Sequence, residues 1–244
     1  MASEMSVLLL QARRPTDPMA AHEVRCFERT ARLAPGALRV HDLCAGPPPL
    51  DTVRGHDAVL LGGSGEFYVS KGNLPHFDAF LDLLRELAAG TLPVFASCFG
   101  YQSLVQALGG EVISDPERTE AGSFELTTTA DTAADPLLGA LPGRFWVQMG
   151  HRDRISRQPD GVPNLAASEL CPLQALRLPG KPIWGVQFHP ELDRETNLER
   201  FKHYLEQDAG YATPEEAAAQ IAAFRESPEA SALLPRFLEL VREL

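Results

Sequence analysis

Lysine and long apolar runs are both scarce in this chain of 244 residues. Lysine occurs only at positions 71, 181 and 202, and the 22 Lys and Arg residues are outnumbered by 33 Asp and Glu, which gives a formal net charge of −11. A nucleic-acid-binding face needs clustered cations, so we expect no nucleic-acid partner. No stretch approaches the ~20 consecutive apolar residues that span a bilayer, so we expect no membrane partner either.

Cysteine is sparse as well, and its spacing argues against two common uses of the residue. The four cysteines are Cys26, Cys44, Cys98 and Cys171, and none belongs to a Cys-x-x-Cys pair. This scatter disfavours a zinc site and a disulfide framework, and it leaves free thiols available for chemistry. The Gly-x-x-x-x-Gly-Lys pattern of a phosphate-binding loop is missing too. We therefore predict no metal and no other cofactor.

The first apolar segment of the chain is short. Residues 6–10 (SVLLL) are too few for the core of a signal peptide, and no basic leader precedes them. We interpret them as the first strand and expect a cytoplasmic location. The length of the chain is sufficient for one large α/β domain with a well-buried core.

Segments with strand and helix periodicity alternate along the chain. The pattern predicts strands at 6–11, 37–43 and 57–61, a helix at 20–33, and a loop at 46–50. A second helix, closed by Gly90, is predicted by an apolar face of five residues: Phe77, Phe80, Leu81, Leu84 and Ala88. This alternation predicts an α/β fold with a doubly wound, mostly parallel central sheet flanked by helices.

The middle of the chain has a different pattern. Between residues 122 and 168 the predicted strands are shorter and are interrupted at Asp135-Pro136 and Pro142-Gly143, which indicates an antiparallel extension of the sheet. Residues 173–178 and 183–188 then predict a hairpin.

Cys98 lies in the pattern of a nucleophile elbow. Residues 93–102 (PVFASCFGYQ) run as an apolar strand into a turn of small residues and restart with helix periodicity. Such a turn lifts the central side chain out of the sheet, and small neighbours, here Ala96 and Gly100, allow the strand and helix to approach closely. A helix N-terminus stabilises the reactive thiolate. Cys98 is therefore a candidate nucleophile, with a small buried apolar residue as the alternative.

A second strand ends in a histidine and a carboxylate. Residues 182–191 (PIWGVQFHPE) alternate as a sheet strand, so His189 emerges at the C-terminal end, where open parallel sheets form their ligand clefts. A thiol nucleophile needs a base for its proton, and that base needs an orienting acceptor, which Glu191 can supply. The pairing of an elbow cysteine with a strand-terminal His-Pro-Glu is much more specific than either motif alone.

Together these motifs resemble the class I, or triad-type, glutamine amidotransferases, most closely the glutaminase domain of GMP synthetase and the stand-alone proteins like it. The resemblance covers roughly residues 6 to 208. It implies a flavodoxin-like fold and a catalytic triad of Cys98, His189 and Glu191, in which the cysteine attacks the side-chain amide of glutamine.

A glycine pair follows the third predicted strand. Residues 60–64 (LLGGS) look like the family segment that supplies an oxyanion N–H group, which we assign to Gly63. The N–H of Phe99, directly after the nucleophile, is assigned as the second donor. The alternative for Gly63 is a tight turn with no catalytic role.

The resemblance also implies a set of substrate contacts. Gln102 matches the glutamine-contacting residue four positions after the nucleophile. Gly150, His151 and Arg152 occupy the place of a Ser-His-Gly-Asp loop whose backbone holds the amino-acid end of glutamine. Glycine and arginine differ from the Ser and Gly of that loop, and Ala96 replaces a family glycine, so the resemblance leaves room for a change of substrate.

The composition changes after residue 208. We expect an amidotransferase domain at 1–208 and a two-helix C-terminal extension at 209–244, because 213–216 (TPEE) and 227–229 (SPE) each predict a helix start. The last helix has an apolar stripe: Leu233, Leu234, Phe237, Leu238 and Val241. We expect this stripe to pack on the chain's own core, with a dimer or partner surface as the alternative.

Three functions fit these motifs. The first is a glutamine amidotransferase or glutaminase that releases ammonia through a thioester. The second is a γ-glutamyl hydrolase or peptidase with the same triad, and the third is a non-catalytic binding or regulatory protein, which an intact triad argues against. The expected partners are a small-molecule substrate, glutamine or a γ-glutamyl compound, and either a synthetase subunit or a second copy in a homodimer.

Two other interpretations of the site residues are weaker. The histidines and carboxylates at 151, 153, 189 and 191 suggest a metal site, but that leaves Cys98 unexplained. A PfpI-like peptidase also uses an elbow cysteine, but there a histidine commonly follows the cysteine, where this chain has Phe99.

Overall fold

The computed structural model describes residues 5–207 and 213–244, and these form eleven strands and eight α-helices. The strands are β1 (Val7–Gln11), β2 (Leu38–Asp42), β3 (Ala58–Leu61), β4 (Val94–Ser97), β5 (Glu111–Ser114), β6 (Glu120–Thr128), β7 (Arg144–His151), β8 (Asp153–Arg157), β9 (Asn164–Ala167), β10 (Ala175–Arg177) and β11 (Ile183–Val186). The helices are α1 (Pro18–Thr30), α2 (Leu50–Arg54), α3 (Phe77–Ala89), α4 (Phe99–Ala107), α5 (Arg194–Glu206), α6 (Pro214–Ala223), α7 (Pro228–Ser231) and α8 (Leu233–Glu243).

Nine of the strands form one sheet in the order β2-β1-β3-β4-β11-β10-β9-β6-β7. The first five are parallel and the last four are antiparallel, while β5 and β8 pair separately. Parallel strands end at the same edge of a sheet, so the loops after β3, β4 and β11 meet there. The register places Leu61 beside Ala96, and Ser97 beside Val186. The predicted α/β fold is confirmed.

The antiparallel half is more regular than the sequence indicated. Between residues 122 and 168 we expected short strands, but β6 and β7 have nine and eight residues and are the longest strands described. They pair continuously from Glu120 opposite His151 to Thr127 opposite Arg144. The proline interruptions fall between these strands, so they shape the connection and leave the ladder intact. The short helix α2 was also not predicted.

The C-terminal helix packs on the sheet. The side chains of Leu234 and Phe237 are fully buried, and the Phe237 ring lies 5.6 Å from the Phe95 ring and 5.9 Å from the Trp184 ring. Because Phe95 and Trp184 belong to the neighbouring strands β4 and β11, the apolar stripe of α8 covers the centre of the sheet. Packing on the chain's own core is therefore confirmed.

The two predicted helix starts in this region begin α6 and the short α7, and α8 follows as a third helix where two were expected. The predicted boundary between 208 and 209 lies outside the described residues, so the division into two domains stays a proposal. Among residues 5–207 and 213–244, no helix is both long and apolar enough to cross a bilayer.

Candidate active site

Cys98 occupies a sharp turn between β4 and α4. Its φ of 49° and ψ of −107° lie in a region that non-glycine residues rarely adopt, which is typical of a nucleophile elbow. The Cys98 N–H donates to the Val186 carbonyl at 2.9 Å, which ties the elbow to β11. A Cβ atom on Gly100 would overlap the side chain of Leu61, so only glycine lets α4 approach β3 this closely. The predicted elbow is confirmed.

His189 and Glu191 form a buried pair at the end of β11. The His189 Nδ1 and Glu191 Oε1 atoms lie 2.7 Å apart, and both side chains are almost completely inaccessible to solvent. The charge of Cys98 also acts on the imidazole, so the two side chains lie close together. Since Nδ1 faces the carboxylate, Nε2 is the ring atom available to the thiol. His189 thus lies between Cys98 and Glu191, as a base between a nucleophile and an orienting carboxylate must.

The electrostatics of this pair favour the charged forms. Burial lowers the pKa of His189, but the charges of Glu191 and Cys98 and the hydrogen bonds to both outweigh burial and raise the pKa to about 9. Burial raises the pKa of Glu191, but the charge and hydrogen bond of His189 and the charge of Arg200 outweigh it and lower that pKa. A buried imidazolium next to a carboxylate is therefore the stable state at neutral pH.

A cleft opens above the elbow. The loop after β3, the start of α4 and the turn from β7 to β8 line it, and its residues are Ser64, Gly65, Phe67, Tyr68, Cys98, Phe99, Gln102, Gly150, His151, Arg152 and Asp153. Six of the predicted site residues therefore share one cleft: Cys98, Phe99, Gln102, Gly150, His151 and Arg152. They come from separate parts of the chain, and the common edge of the sheet brings them together.

Comparison with known proteins assigns the family. The family described as "Glutamine amidotransferase class-I" matches residues 51–205, which include the elbow and the His-Pro-Glu strand. The chain belongs to this family. It is a class I glutamine amidotransferase enzyme, and the predicted family resemblance is confirmed.

Individual relatives agree with this assignment. A subunit of the glutamine-hydrolyzing GMP synthase of Methanosarcina barkeri is 28% identical over 184 residues, which cover 75% of this chain and 86% of the relative. The glutamine-hydrolyzing GMP synthase of Streptomyces coelicolor is 28% identical over 212 residues, 85% of this chain but 37% of the longer relative. The crystal structure of a glutamine amidotransferase from Thermotoga maritima has a TM-score of 0.73 with 19% identity and covers 99% of both chains. The similarity to the Thermotoga maritima structure supports the amidotransferase fold.

The position of Gly63 corrects one expectation. In this amidotransferase the Gly63 N–H donates to Glu23 Oε1 at 3.1 Å. Glu23 belongs to α1, is fully buried, and also accepts a hydrogen bond from the Gln11 amide at 3.0 Å. The N–H predicted to stabilise an oxyanion is therefore bound to a carboxylate in this structure. The next residues of the same loop, Ser64 and Gly65, are the ones that line the cleft.

The N–H of Phe99 stays a candidate oxyanion donor. Phe99 is the first residue of α4, where backbone N–H groups have no partner within the helix. It lies next to the nucleophile and lines the cleft. Its assignment rests on this position.

The His151 side chain is directed into the protein. Its Nδ1 atom lies 2.9 Å from the Asp153 carbonyl oxygen and its Nε2 atom lies 3.0 Å from Glu120 Oε2. With both ring nitrogens bound to protein oxygens, the predicted contact between this ring and the substrate is not supported. The ring instead joins the end of β7 to the starts of β6 and β8, and it holds the turn that contains Gly150 and Arg152.

Gln102 lines the cleft, and its amide nitrogen is already hydrogen-bonded to other protein groups. Its Nε2 atom donates to the Asp153 carbonyl at 2.7 Å and to Gln187 Oε1 at 3.1 Å. A substrate contact from this side chain would therefore use its Oε1 atom. Arg152 also lines the cleft.

Three buried charged residues near the site belong to no recognised motif. Arg13 and Glu23 approach each other to 3.3 Å, and Arg200 approaches Glu191 to 3.6 Å. A signal for Glu23 does exist in the sequence, since it lies among the apolar residues Met19 and Phe27 on the buried face of α1. A carboxylate on such a face must have a buried partner, but periodicity cannot show which one.

Among residues 5–207 and 213–244, one group of side chains has metal-ligand chemistry. The ligand atoms of Glu120, His151 and Cys171 lie within 4.8 Å of one another, and all three residues are buried. Within this group, His151 is hydrogen-bonded to Glu120, and the Cys171 thiol donates outside the group to the Arg118 carbonyl at 3.6 Å. Burial, with the charge of Glu120, raises the pKa of Cys171 to about 12.

The raised pKa of His189 predicts a pH-dependent stability. Because the folded-state pKa of about 9 exceeds the ordinary 6.5, the contribution of the pair is complete below pH 6.5 and is lost as pH rises through 9. We expect the stability advantage of the wild type over His189→Gln to shrink over this range by roughly 3 kcal/mol. Urea unfolding at several pH values measures this. The partly exposed His56, as His56→Gln, is the control, and a constant difference would contradict the prediction.

Proposed function

We propose that this enzyme hydrolyses the side-chain amide of glutamine and releases ammonia and glutamate. The observation that supports the proposal is a strained elbow cysteine that lines a cleft and lies close to a buried His189–Glu191 pair. An inert structural cysteine needs neither the turn nor the histidine. In this proposal Cys98 is the nucleophile, His189 the proton carrier and Glu191 the orienting carboxylate.

The reaction has two stages. The Cys98 thiolate attacks the amide carbon, and the resulting oxyanion is stabilised by the Phe99 N–H and by a second donor from the loop that contains Gly63, Ser64 and Gly65. His189 donates its proton to the departing nitrogen, which leaves as ammonia, and a thioester remains. His189 then takes a proton from water as the water attacks the thioester. Glutamate leaves and the thiolate is restored.

Substrate contacts follow from the positions of the cleft residues. We propose that the Gln102 Oε1 atom and the backbone at Gly150 hold the amino-acid end of glutamine, while Arg152 faces its carboxylate. A guanidinium and a carboxylate form a charge-assisted hydrogen bond of about 1.5–3 kcal/mol. His151 would act only by holding this turn in place.

The fate of the ammonia is part of the proposal. Several relatives that this chain covers over most of their length are named as subunits of a glutamine-hydrolyzing GMP synthase. We propose that ammonia formed at Cys98 passes to a separate synthetase subunit, with a homodimer as the alternative assembly. The names of these relatives favour glutamine as the substrate over the γ-glutamyl compounds that the same triad could also hydrolyse.

An assay of ammonia and glutamate release tests the function. We expect the two products in equal amounts from glutamine, and a lower rate from a panel of γ-glutamyl peptides. Asparagine is the control substrate, because its shorter side chain cannot place the amide at Cys98 with the amino-acid end in the same contacts. No release from glutamine in the presence or absence of candidate partner proteins would reject the proposal.

Alkylation provides a test that is independent of substrate. Burial raises the pKa of Cys26 and of Cys44 to about 11, and that of Cys171 to about 12. Cys98 lines the cleft at a helix N-terminus and lies close to His189, so we expect iodoacetamide to label it first at pH 7 to 8. Peptide mapping after brief exposure identifies the site, and a diazo-ketone analogue of glutamine should block it. The partly exposed Cys44 reacting first would contradict this expectation.

Gly63 has a testable steric role. A Cβ atom at this position would lie 2.7 Å from the Cε1 atom of His189, closer than real contacts allow, so Gly63→Ala must move the imidazole. We expect kcat for glutamine to fall about 100-fold with the fold retained, because small displacements of reacting groups have effects of that size. Gly143→Ala is the control, since its Cβ would contact nothing within 4 Å. Unchanged kcat would show that the loop can shift without cost.

A further inference from the structure

A second cavity adjoins His189. It shares Ser64 and Gly150 with the substrate cleft, and its lining also contains Arg13 and Arg200. The space open to the centre of a water-sized molecule is about 20 Å³, slightly more than one water needs. The cavity is therefore large enough for a small ion or one functional group, and too small for a metabolite.

Arg200 has hydrogen-bond donors with no protein acceptor. The residue is 5% exposed, and neither its Nε nor its Nη2 atom has a hydrogen-bond partner among the described residues. Its Nη1 atom lies 3.6 Å from Glu191 Oε1, and Glu191 is already bound to His189 at 2.7 Å. Buried N–H donors of a charged group are normally satisfied, so these two atoms indicate an acceptor in the adjoining cavity.

The charged residues that line the cavity are all basic. Arg13 is 2% exposed, and its charge is offset by Glu23 and Asp17, which lie 3.3 Å away. Together with Arg200 and His189 it gives the cavity three residues that can be cationic, and none of the lining residues is acidic. The carboxylates that neutralise these residues do not line the cavity, so the lining offers N–H donors and no carboxylate, which favours an anion over an ammonium group.

The geometry points to a carboxylate. We propose that Arg200, with Arg13 in the same lining, forms a binding site for a small carboxylate beside His189. The planar fork of a guanidinium matches two carboxylate oxygens, and the apolar side chain of Met149 in the wall fits a hydrogen or methyl substituent. The carboxylate can be free formate or acetate. It can also be the carboxylate group of an amino acid that leaves a γ-glutamyl substrate. The second source rests on the proposed function, since His189 must protonate the departing amine.

Ligand-dependent stability tests the site directly. Thermal unfolding is measured with sodium formate at constant ionic strength, with formamide as the neutral analogue. We expect a saturable rise in Tm with formate only, because a ligand that binds the folded state stabilises it. The rise should disappear in Arg200→Met and weaken at least tenfold in apparent affinity in Arg200→Lys, which keeps the charge and loses the fork. The control is Arg194→Met, a more exposed arginine on the same helix.

Two results of the formate experiment would overturn the carboxylate site. A rise that does not saturate, or one that persists in Arg200→Met, would show adventitious binding of formate only and would overturn the site. If Arg200→Met does not fold, Arg200→Lys alone decides, since an unchanged apparent affinity in that variant would also overturn the site.

Matched substrates separate the two sources of the carboxylate. γ-Glutamylglycine and γ-glutamylglycinamide differ only in the leaving amine. Glycine carries a carboxylate, and glycinamide carries a neutral amide in its place. If the leaving group uses the site, kcat/KM should favour the glycine substrate at least tenfold in the wild type, and the preference should disappear in Arg200→Met. Equal values in the wild type would reject the leaving-group source. Failure of glutamine hydrolysis would reject the proposed function, and the formate experiment would still decide the site.

Discussion

Replacement of Cys98 by alanine is expected to abolish glutamine hydrolysis while the protein remains folded. The thiol is the only group at the elbow that can form the thioester, so the loss of kcat should be roughly 10⁴-fold or more. The methyl group of alanine is smaller than the thiol side chain, so it fits the elbow, and the Cys98 N–H bond to Val186 is kept. Steady-state kinetics and thermal unfolding measure the two effects separately.

The matched control for this variant is Cys44→Ala, which removes a thiol outside the cleft. It should retain wild-type kinetics. Activity near the wild-type level in Cys98→Ala would remove Cys98 from the mechanism, and with it the proposed triad. A large loss of stability would instead show that the thiol is needed for packing.

Removal of His189 should cost more activity than removal of Glu191. The imidazole transfers protons in both stages, whereas the carboxylate orients and stabilises it. We expect about 10⁴-fold or greater loss of kcat in His189→Ala, and a loss at least tenfold smaller in Glu191→Gln, which keeps the size of the side chain. The reverse order in measured kcat would contradict these roles.

The two positions should also differ in stability. Glu191→Ala leaves Arg200 buried without its ion-pair partner, which typically costs about 3–5 kcal/mol. His189→Ala leaves Glu191 with Arg200 and should cost less. Urea unfolding at pH 7 compares the two variants, and Glu191→Gln indicates how much of the loss follows from the charge.

Local motifs were the part of the site that the sequence predicted best. The elbow requires a small residue at position 100, because Leu61 lies against it, and this requirement is visible as a glycine after the nucleophile. The strand before His189 has the apolar alternation of a sheet strand. Both signals depend on residues within a few positions of each other, so periodicity and turn chemistry detect them.

Contacts between distant segments were not predicted. The Gly63 N–H was assigned to an oxyanion, but Glu23 from α1 accepts its hydrogen bond, 40 positions away in the chain. His151 was assigned to the substrate, but Glu120 and Asp153 bind its ring. A buried polar group needs a partner, and only the folded chain determines which residue is close enough to be that partner.

The sequence by itself determined the α/β fold, the elbow at Cys98 and the His-Pro-Glu strand end, since each is encoded by neighbouring residues. The tertiary structure decided which loops meet at the edge formed by β3, β4 and β11, and how the buried charges are paired. It alone placed Arg200 beside Glu191 and next to a cavity. The physical reason is that electrostatic and hydrogen-bond energies depend on distances in space, and sequence separation does not specify those distances.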